Sequence, residues 1–145
     1  MDENTTGASG AIPRSDFKRM DKHAEKYYEE IRKRKSDVAA IAKNTGFCVE
    51  DIEKIKKHIF INEYALDGKG ISRFDPSYDM AVSWQRLIDG KNIQDMDIVL
   101  LCHELLEHKI MAEQNEPYHI AHKQANQQYN YQVYCDELDR KAGLK

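Results

Sequence analysis

DIVLLCHELLEHKIM, residues 97–111, is the stretch on which the fold turns. Wound at about 100° per residue, it puts Ile98, Val99, Leu101, Cys102, Leu105 and Leu106 on one wide apolar arc, with Leu100, Ile110 and Met111 outside it. A helix apolar over so much of its girth belongs at the centre of a core. Yet it also carries His103, Glu104, Glu107 and His108. His103 and Glu107 are four apart and share a face. A partly buried imidazole beside a carboxylate is biased toward its cation, and the carboxylate fixes its tautomer. Such a pair suits a general base with its orienting partner, or two metal ligands. It also suits plain helix stabilisation worth a few tenths of a kcal/mol. The run HELLEH approaches the H-E-x-x-H signature of zinc proteases without meeting it. His103 and His108 are five apart, about 140° around the helix, and two ligands at His103 and Glu107 do not hold zinc by themselves.

Downstream, the connection 113–116 is short, which makes the next helix an antiparallel neighbour. That helix is expected from about Pro117 to Lys141. Its His119 and His122 are three apart, with Asn126 four beyond His122. The antiparallel arrangement can bring His122 or His119 to His103 and Glu107, and sets Tyr129, Asn130 and Tyr131 toward the start of the central helix. The set His103, Glu107 and His122 is therefore the candidate for a divalent metal, with Glu104 as a further acid or base. Arg86 is the candidate anion contact.

Upstream, Asp75-Pro76 reads as an N-cap followed by proline at the first helical position. The helix it opens carries Met80, Ala81, Trp84, Leu87 and Ile88 and stops at Gly90. Between Asn62 and Phe74 the periodicity breaks, and Asp67-Gly68-Lys69-Gly70 marks the turn of a minor hairpin. A first helix starts at Ser15, with Asp16 favouring its N-terminal dipole, and Phe17, Met20, Ala24, Tyr27, Tyr28 and Ile31 recur at helical spacing. Ser36 opens a short helix through Asn44 that Gly46 ends in the left-handed region. A third helix covers Val49–Phe60 with Ile52, Ile55 and Ile59 in line. Residues 1–14, rich in Gly, Ser and Thr, read as a flexible arm. The expectation is an all-α single domain over residues 15–145, a compact bundle of about six helices, with at most a minor hairpin near 62–74.

The chain has 145 residues, 32% charged and 41% hydrophobic, enough for one core without disulfides. Cys48, Cys102 and Cys135 are odd in number and widely spaced, which fits reduced thiols in a cytoplasmic setting. No apolar run approaches a membrane span, and the first residues lack the pattern of a signal peptide. Charge is uneven. Residues 18–57 hold 12 Lys and Arg against 8 Asp and Glu; residues 58–145 hold 9 against 14. The run Arg32, Lys33, Arg34 and Lys35 is the candidate nucleic-acid contact. Residues 37–60 also imitate a DNA-binding helix-turn-helix, with Val38, Ile41, Ile52 and Ile55 at its internal positions. Glu50, Asp51 and Glu53 at the start of the would-be recognition helix argue against it, because they repel phosphates.

The stretches SGAIPRSD, HAEKYYEEIRKRKSDVAAIAKNTGF, RFDPSYDMAVSWQRLIDG, LLCHELLEH and AHKQANQQYNY, spread over residues 9–145, resemble a domain at the C-terminal end of phage head-morphogenesis (minor capsid) proteins and bacterial polymorphic toxins. The resemblance implies an effector delivered into, or released within, a target cell's cytoplasm and joined N-terminally to a larger carrier. It stresses Asp79, Trp84 and Arg86, then His103, Glu104 and Glu107, then His122, Tyr129 and Asn130, and it brings no settled catalytic assignment. Cys102 and His108 depart from its usual pattern. Three functions follow: a hydrolase, nuclease-like, working through the His/Glu cluster; a non-enzymatic helical interaction or virion-structural module; and a helix-turn-helix DNA-binding protein.

Overall fold

The computed structural model describes residues 12–144. Helix α1 (Phe17–Lys33) opens at Asp16, whose carboxylate accepts from the Arg19 amide. It buries Met20, Ala24, Tyr27, Tyr28 and Ile31, the stripe expected from their spacing except for Phe17, which lies exposed in the first turn. Helix α2 (Asp37–Thr45) ends at Gly46, at φ 83°. Helix α3 (Val49–Lys56) does not continue as an α-helix. Its last turn, Lys57–Ile61, widens into a π-helix that buries His58, Ile59 and Phe60. Strands β1 (Tyr64–Leu66) and β2 (Gly70–Ser72) form an antiparallel hairpin with Ala65 opposite Ile71, as the Asp67–Gly70 turn predicts. Helix α4 (Tyr78–Asp89), helix α5 (Asp95–Glu113), helix α6 (Tyr118–Gln128) and helix α7 (Tyr131–Lys141) complete the chain. The fold is all-α apart from the hairpin. Among the described residues no helix is long and apolar enough to cross a membrane.

Three boundaries differ from expectation, each for a physical reason. Helix α4 starts after Ser77, whose hydroxyl accepts from Met80 N; Asp75, the expected cap, instead pairs with Lys69. The predicted last helix is two. Asn130 breaks it, caps α7 through its side chain at Val133 N, and leaves the Tyr129 carbonyl outside both helices. The arm is not wholly loose either. Residues 1–11 lie outside the described part, but Ile12 packs against Met20, Ala24 and Tyr78. Arg14 forks onto Asp79 at 2.7 and 3.1 Å and reaches Asp139 at 2.9 Å.

The main core joins Tyr27, Tyr28, Ile41, Ile52, Ile55, Trp84, Leu87 and Leu101 from five helices. At its edge the fully buried Asp37 accepts from Trp84 Nε1 at 3.1 Å and from the Lys56 ammonium at 2.9 Å. That ammonium also donates to the Arg34 carbonyl. Buried charge is tolerated when paired and fully hydrogen-bonded in this way. Gly90 closes α4 at φ 69°, and a Cβ there would sit 2.8 Å from the Asn44 carboxamide, which itself caps α4 by donating to the Leu87 and Ile88 carbonyls.

Helix α5 is central, packed by α3, α4, α6 and α7. Its buried side is not the expected arc. Met96, Asp97, Leu100, His103, Glu104, Glu107 and Ile110 are buried along with Leu101 of that arc, whereas Ile98, Val99, Cys102, Leu105 and Leu106 are half-buried. Leu100 and Ile110 thus belong to the inside. The packing therefore turns the polar residues of α5 into the protein.

Candidate functional site

Glu107 is the hub. One carboxylate oxygen, Oε1, receives His58 Nε2 at 2.7 Å. The other, Oε2, lies 3.1 Å from His103 Nε2 and 2.8 Å from His122 Nδ1. Glu104, one residue on from His103, brings its oxygens within 3.6 Å of His103 Nε2 and 3.7 Å of His58 Nε2. Four elements meet here: α5 supplies three groups, α6 supplies His122, the π turn supplies His58, and the α6–α7 break supplies a carbonyl. The π turn matters locally. Its wider winding re-aims His58 into the protein, and single π turns recur at functional sites for that reason.

The protons can be assigned from the hydrogen-bond partners. Glu107 Oε1 only accepts, so His58 Nε2 at 2.7 Å carries the hydrogen, and in the neutral ring the Tyr64 hydroxyl, which accepts from Asn62 Nδ2 at 3.1 Å, donates to the bare Nδ1 at 2.7 Å. His103 is different. Its Nδ1 faces the Tyr129 carbonyl at 2.8 Å. A carbonyl only accepts, so Nδ1 holds the hydrogen. In the neutral ring Nε2 would then aim a lone pair at two carboxylates. A second proton or a bound cation must lie between them.

Electrostatics follow that logic. Burial opposes the His103 cation, but the bond to Glu107 and the charges of Glu104 and Glu107 outweigh it and raise its pKa. Burial also works against the Glu107 anion, yet its bonds to His103, His122 and His58 hold the carboxyl well below the usual range. Glu104 goes the other way: burial, then the charge of Glu107, pushes it up to about 8. Two carboxyls three residues apart on one helix thus differ sharply, a pattern typical of working sites.

A cleft of about 620 Å³ opens on this cluster, within the range of ligand pockets. His103, Glu104, Glu107 and His122 line it and His58 does not. The ligand atoms of His103, Glu107 and His122 lie within 4.8 Å of one another, as do those of His58, Glu104 and Glu107. The outer trio fits a metal better. It faces the cleft, and its His103 is already held in the tautomer that leaves Nε2 free to coordinate, by the carbonyl contact typical of metal-bound histidine. A tetrahedral ion with bonds of about 2.1 Å spaces its ligands about 3.4 Å apart. The 3.1 and 2.8 Å separations open to this with movements of a few tenths of an ångström. Charge agrees: a dication at this point takes the place of the second proton that His103 Nε2 otherwise needs between itself and the carboxylates. The inner trio then serves the outer one, with His58 orienting Glu107 through Oε1. For coordination His122 Nδ1 must be bare. In the structure the Asn126 amide nitrogen donates to His122 Nε2 at 3.3 Å, which leaves the ring hydrogen on Nδ1 facing Glu107; coordination would require that hydrogen to move to Nε2 and the carboxamide to turn its oxygen toward it.

The structure brings His103, Glu104, Glu107 and His122 together, as the sequence suggested, and leaves other candidates apart. Arg86 is not in the cleft. Its guanidinium forks onto the buried Asp97 at 2.8 and 2.7 Å, securing the start of α5. Arg32 donates to the Phe60 carbonyl at 2.7 Å, and none of Arg32, Lys33, Arg34 or Lys35 borders the cleft. His119 lines the rim, and His108 stacks edge-on against His58. The would-be recognition helix carries Glu50, exposed, and Asp51, half-buried, in its first turn. Sequence reasoning missed His58, Tyr64 and the Tyr129 carbonyl; the turn residues at 67–70 were a trace of the hairpin that places Tyr64. Comparison with family models, with curated proteins and with solved structures gave no match.

Proposed function

We propose that this chain is a metal-dependent hydrolase whose centre is His103 Nε2, Glu107 Oε2 and His122 Nδ1, with Glu104 as its acid–base group. The observation that carries the reading is the convergence of these three atoms around Glu107 Oε2 at the floor of an open cleft. Two imidazoles and one carboxylate form a donor set that suits zinc and leaves a position free for water or substrate. The H-E-x-x-H signature is met in altered form. His103 and Glu107 hold the i and i+4 ligand positions, Glu104 keeps the place of the base, and the second histidine comes from α6.

A divalent ion so held supplies a Lewis acid and brings the pKa of water near 7. The protein's own part is as follows. Glu104, at the cleft wall, takes a proton from the attacking water as its oxygen bonds to the electrophilic atom of the substrate. Glu104 then returns that proton to the departing group as the scissile bond breaks. Tyr118, whose phenol is raised by burial and by the charges of Glu107 and Glu104, stays protonated and can donate to the developing negative oxygen. Carried by a phage or toxin protein, as the resemblance implies, such a hydrolase would act in a recipient cytoplasm.

Calorimetric titration with zinc, followed by activity assays on ester, amide and phosphodiester probes, tests this. One zinc per chain is expected, with affinity falling at least 100-fold in His122→Ala and activity lost in Glu104→Gln while zinc still binds. Equal binding by wild type and His122→Ala would refute it. In cells, growth arrest relieved by His103→Ala separates the hydrolase from a non-enzymatic helical module.

A further inference from the structure

The cleft meets the β-hairpin in an unusual way. Ala65 and Leu66 are consecutive in β1, so their side chains point to opposite faces, yet both line the cleft. The cleft therefore reaches the strand edge-on rather than across one face. No residue of β2 lines it, so β2 lies on the far side, bonded to the other edge of β1. A two-stranded sheet leaves each strand one edge with unused N–H and C=O groups. On β1 that edge borders the same cavity as His103, Glu107 and His122.

The walls decide what can lie there. Among the described residues the one Lys or Arg bordering the cleft is Lys69, already paired with Asp75, and Asp67 adds a further acid. A phosphodiester backbone needs several fixed cations along its length, and among the described residues no unpaired Lys or Arg borders this cleft beside the proposed metal centre. Leu66, Phe74, Met80, Pro117 and Tyr118 provide apolar wall. Backbone pairing edge, apolar pockets and no anion clamp are the features by which proteins recognise an extended peptide.

Resting on the metallohydrolase reading above, we propose that the substrate is a polypeptide, bound in extended conformation as an added strand on β1, with its scissile amide over the His103–Glu107–His122 centre. The C–N bond breaks, the water oxygen joins the carbonyl carbon, and the amine leaves with the proton returned from Glu104.

The test uses the full chain loaded with zinc. It is incubated in parallel with casein, single-stranded RNA and single-stranded DNA, with products read by mass spectrometry. Cleavage of casein alone is expected. A peptide spanning a cut site is then remade with one backbone nitrogen methylated at a time. Methylation at the position facing β1 should lower kcat/KM about tenfold, from one lost hydrogen bond. Leu66 turns its carbonyl into the hairpin turn, so Ala65 is the β1 residue whose N–H and C=O face away from β2; amide exchange in Glu104→Gln, with and without zinc, should show Ala65 protected by the peptide. Cleavage of nucleic acid in place of casein overturns the peptide proposal and leaves the hydrolase standing. Exchange at β1 unchanged by peptide overturns it whether or not turnover is seen. Absence of bound zinc overturns the earlier reading instead, and the exchange arm without zinc still decides this one.

Discussion

Replacing Glu104 by glutamine should stabilise the metal-free protein in alkali, even as it abolishes turnover. Glu104 is buried beside Glu107 and ionises near 8 rather than near 4.5. The unfolded carboxyl ionises near 4.5, so between these values the folded state holds the extra proton. Stability then falls as pH rises through that window and levels off above it. At about 1.4 kcal/mol per pH unit, ionised Glu104 costs at most about 5 kcal/mol. Proton sharing with Glu107 and His103 absorbs part of this, leaving about 2–3 kcal/mol. The raised His103 pKa acts in the same direction. Its contribution is complete below about pH 6.5 and fades as pH rises through the folded value. Glu107 is depressed, so its contribution is present above its unfolded ionisation and lost only in strong acid. Urea unfolding of the apo protein from pH 5 to 9 measures the sum. Wild type should decline across the range and Glu104→Gln should decline less. The two should agree within about 1 kcal/mol at pH 5 and differ by about 2–3 kcal/mol in favour of the variant at pH 9. A variant less stable than wild type at pH 9 would mean that Glu104 sits there as a well-paired anion, and the assignment of protons in the cluster would be wrong.

Two further outcomes follow from groups outside the trio. Tyr64→Phe removes the hydroxyl that donates to His58 Nδ1, and zinc affinity measured by competition with a chelator should fall about 10–100-fold, the usual effect of losing an outer partner; an unchanged affinity would remove His58 from the supporting role. Arg14→Ala strips Asp79 and Asp139 of a partner that is 17% exposed, and should cost about 2 kcal/mol, less than a fully buried pair. That corresponds to a Tm lower by about 4–8 °C in calorimetry; an unchanged Tm would show that the Ile12–Arg14 segment is not docked in solution.

How much of this could be read from the sequence is clear from particular residues. Asp16, Gly46, Gly90 and the Asp67–Gly70 turn act through their own backbone preferences, and the elements they bound fall where expected. Arg86 was legible as a cation near the site but not as the partner of Asp97, since ion pairing depends on which helix ends meet. The π turn at Lys57–Ile61 and the break at Tyr129–Asn130 carry no Pro or Gly. Their cost is local and their compensation tertiary: His58 bonded to Glu107, and the freed Tyr129 carbonyl bonded to His103. Both irregularities therefore serve the cluster, which is why periodicity overlooked them. His103, Glu107 and His122 were legible because helical spacing and a short connection suffice to bring them together. Of the buried side of α5, Leu101 was legible and Leu100, Glu104 and Ile110 were not, because apolar counting passes over a seam of polar residues that mutual hydrogen bonding lets face inward.

The most direct test is anomalous scattering at the zinc edge from crystals soaked with equimolar zinc. One peak per chain is expected, about 2.0–2.2 Å from His103 Nε2, Glu107 Oε2 and His122 Nδ1, with His58 still bonded to the far oxygen of Glu107. A peak elsewhere, or none, with those four side chains joined only to one another, would contradict the proposed centre.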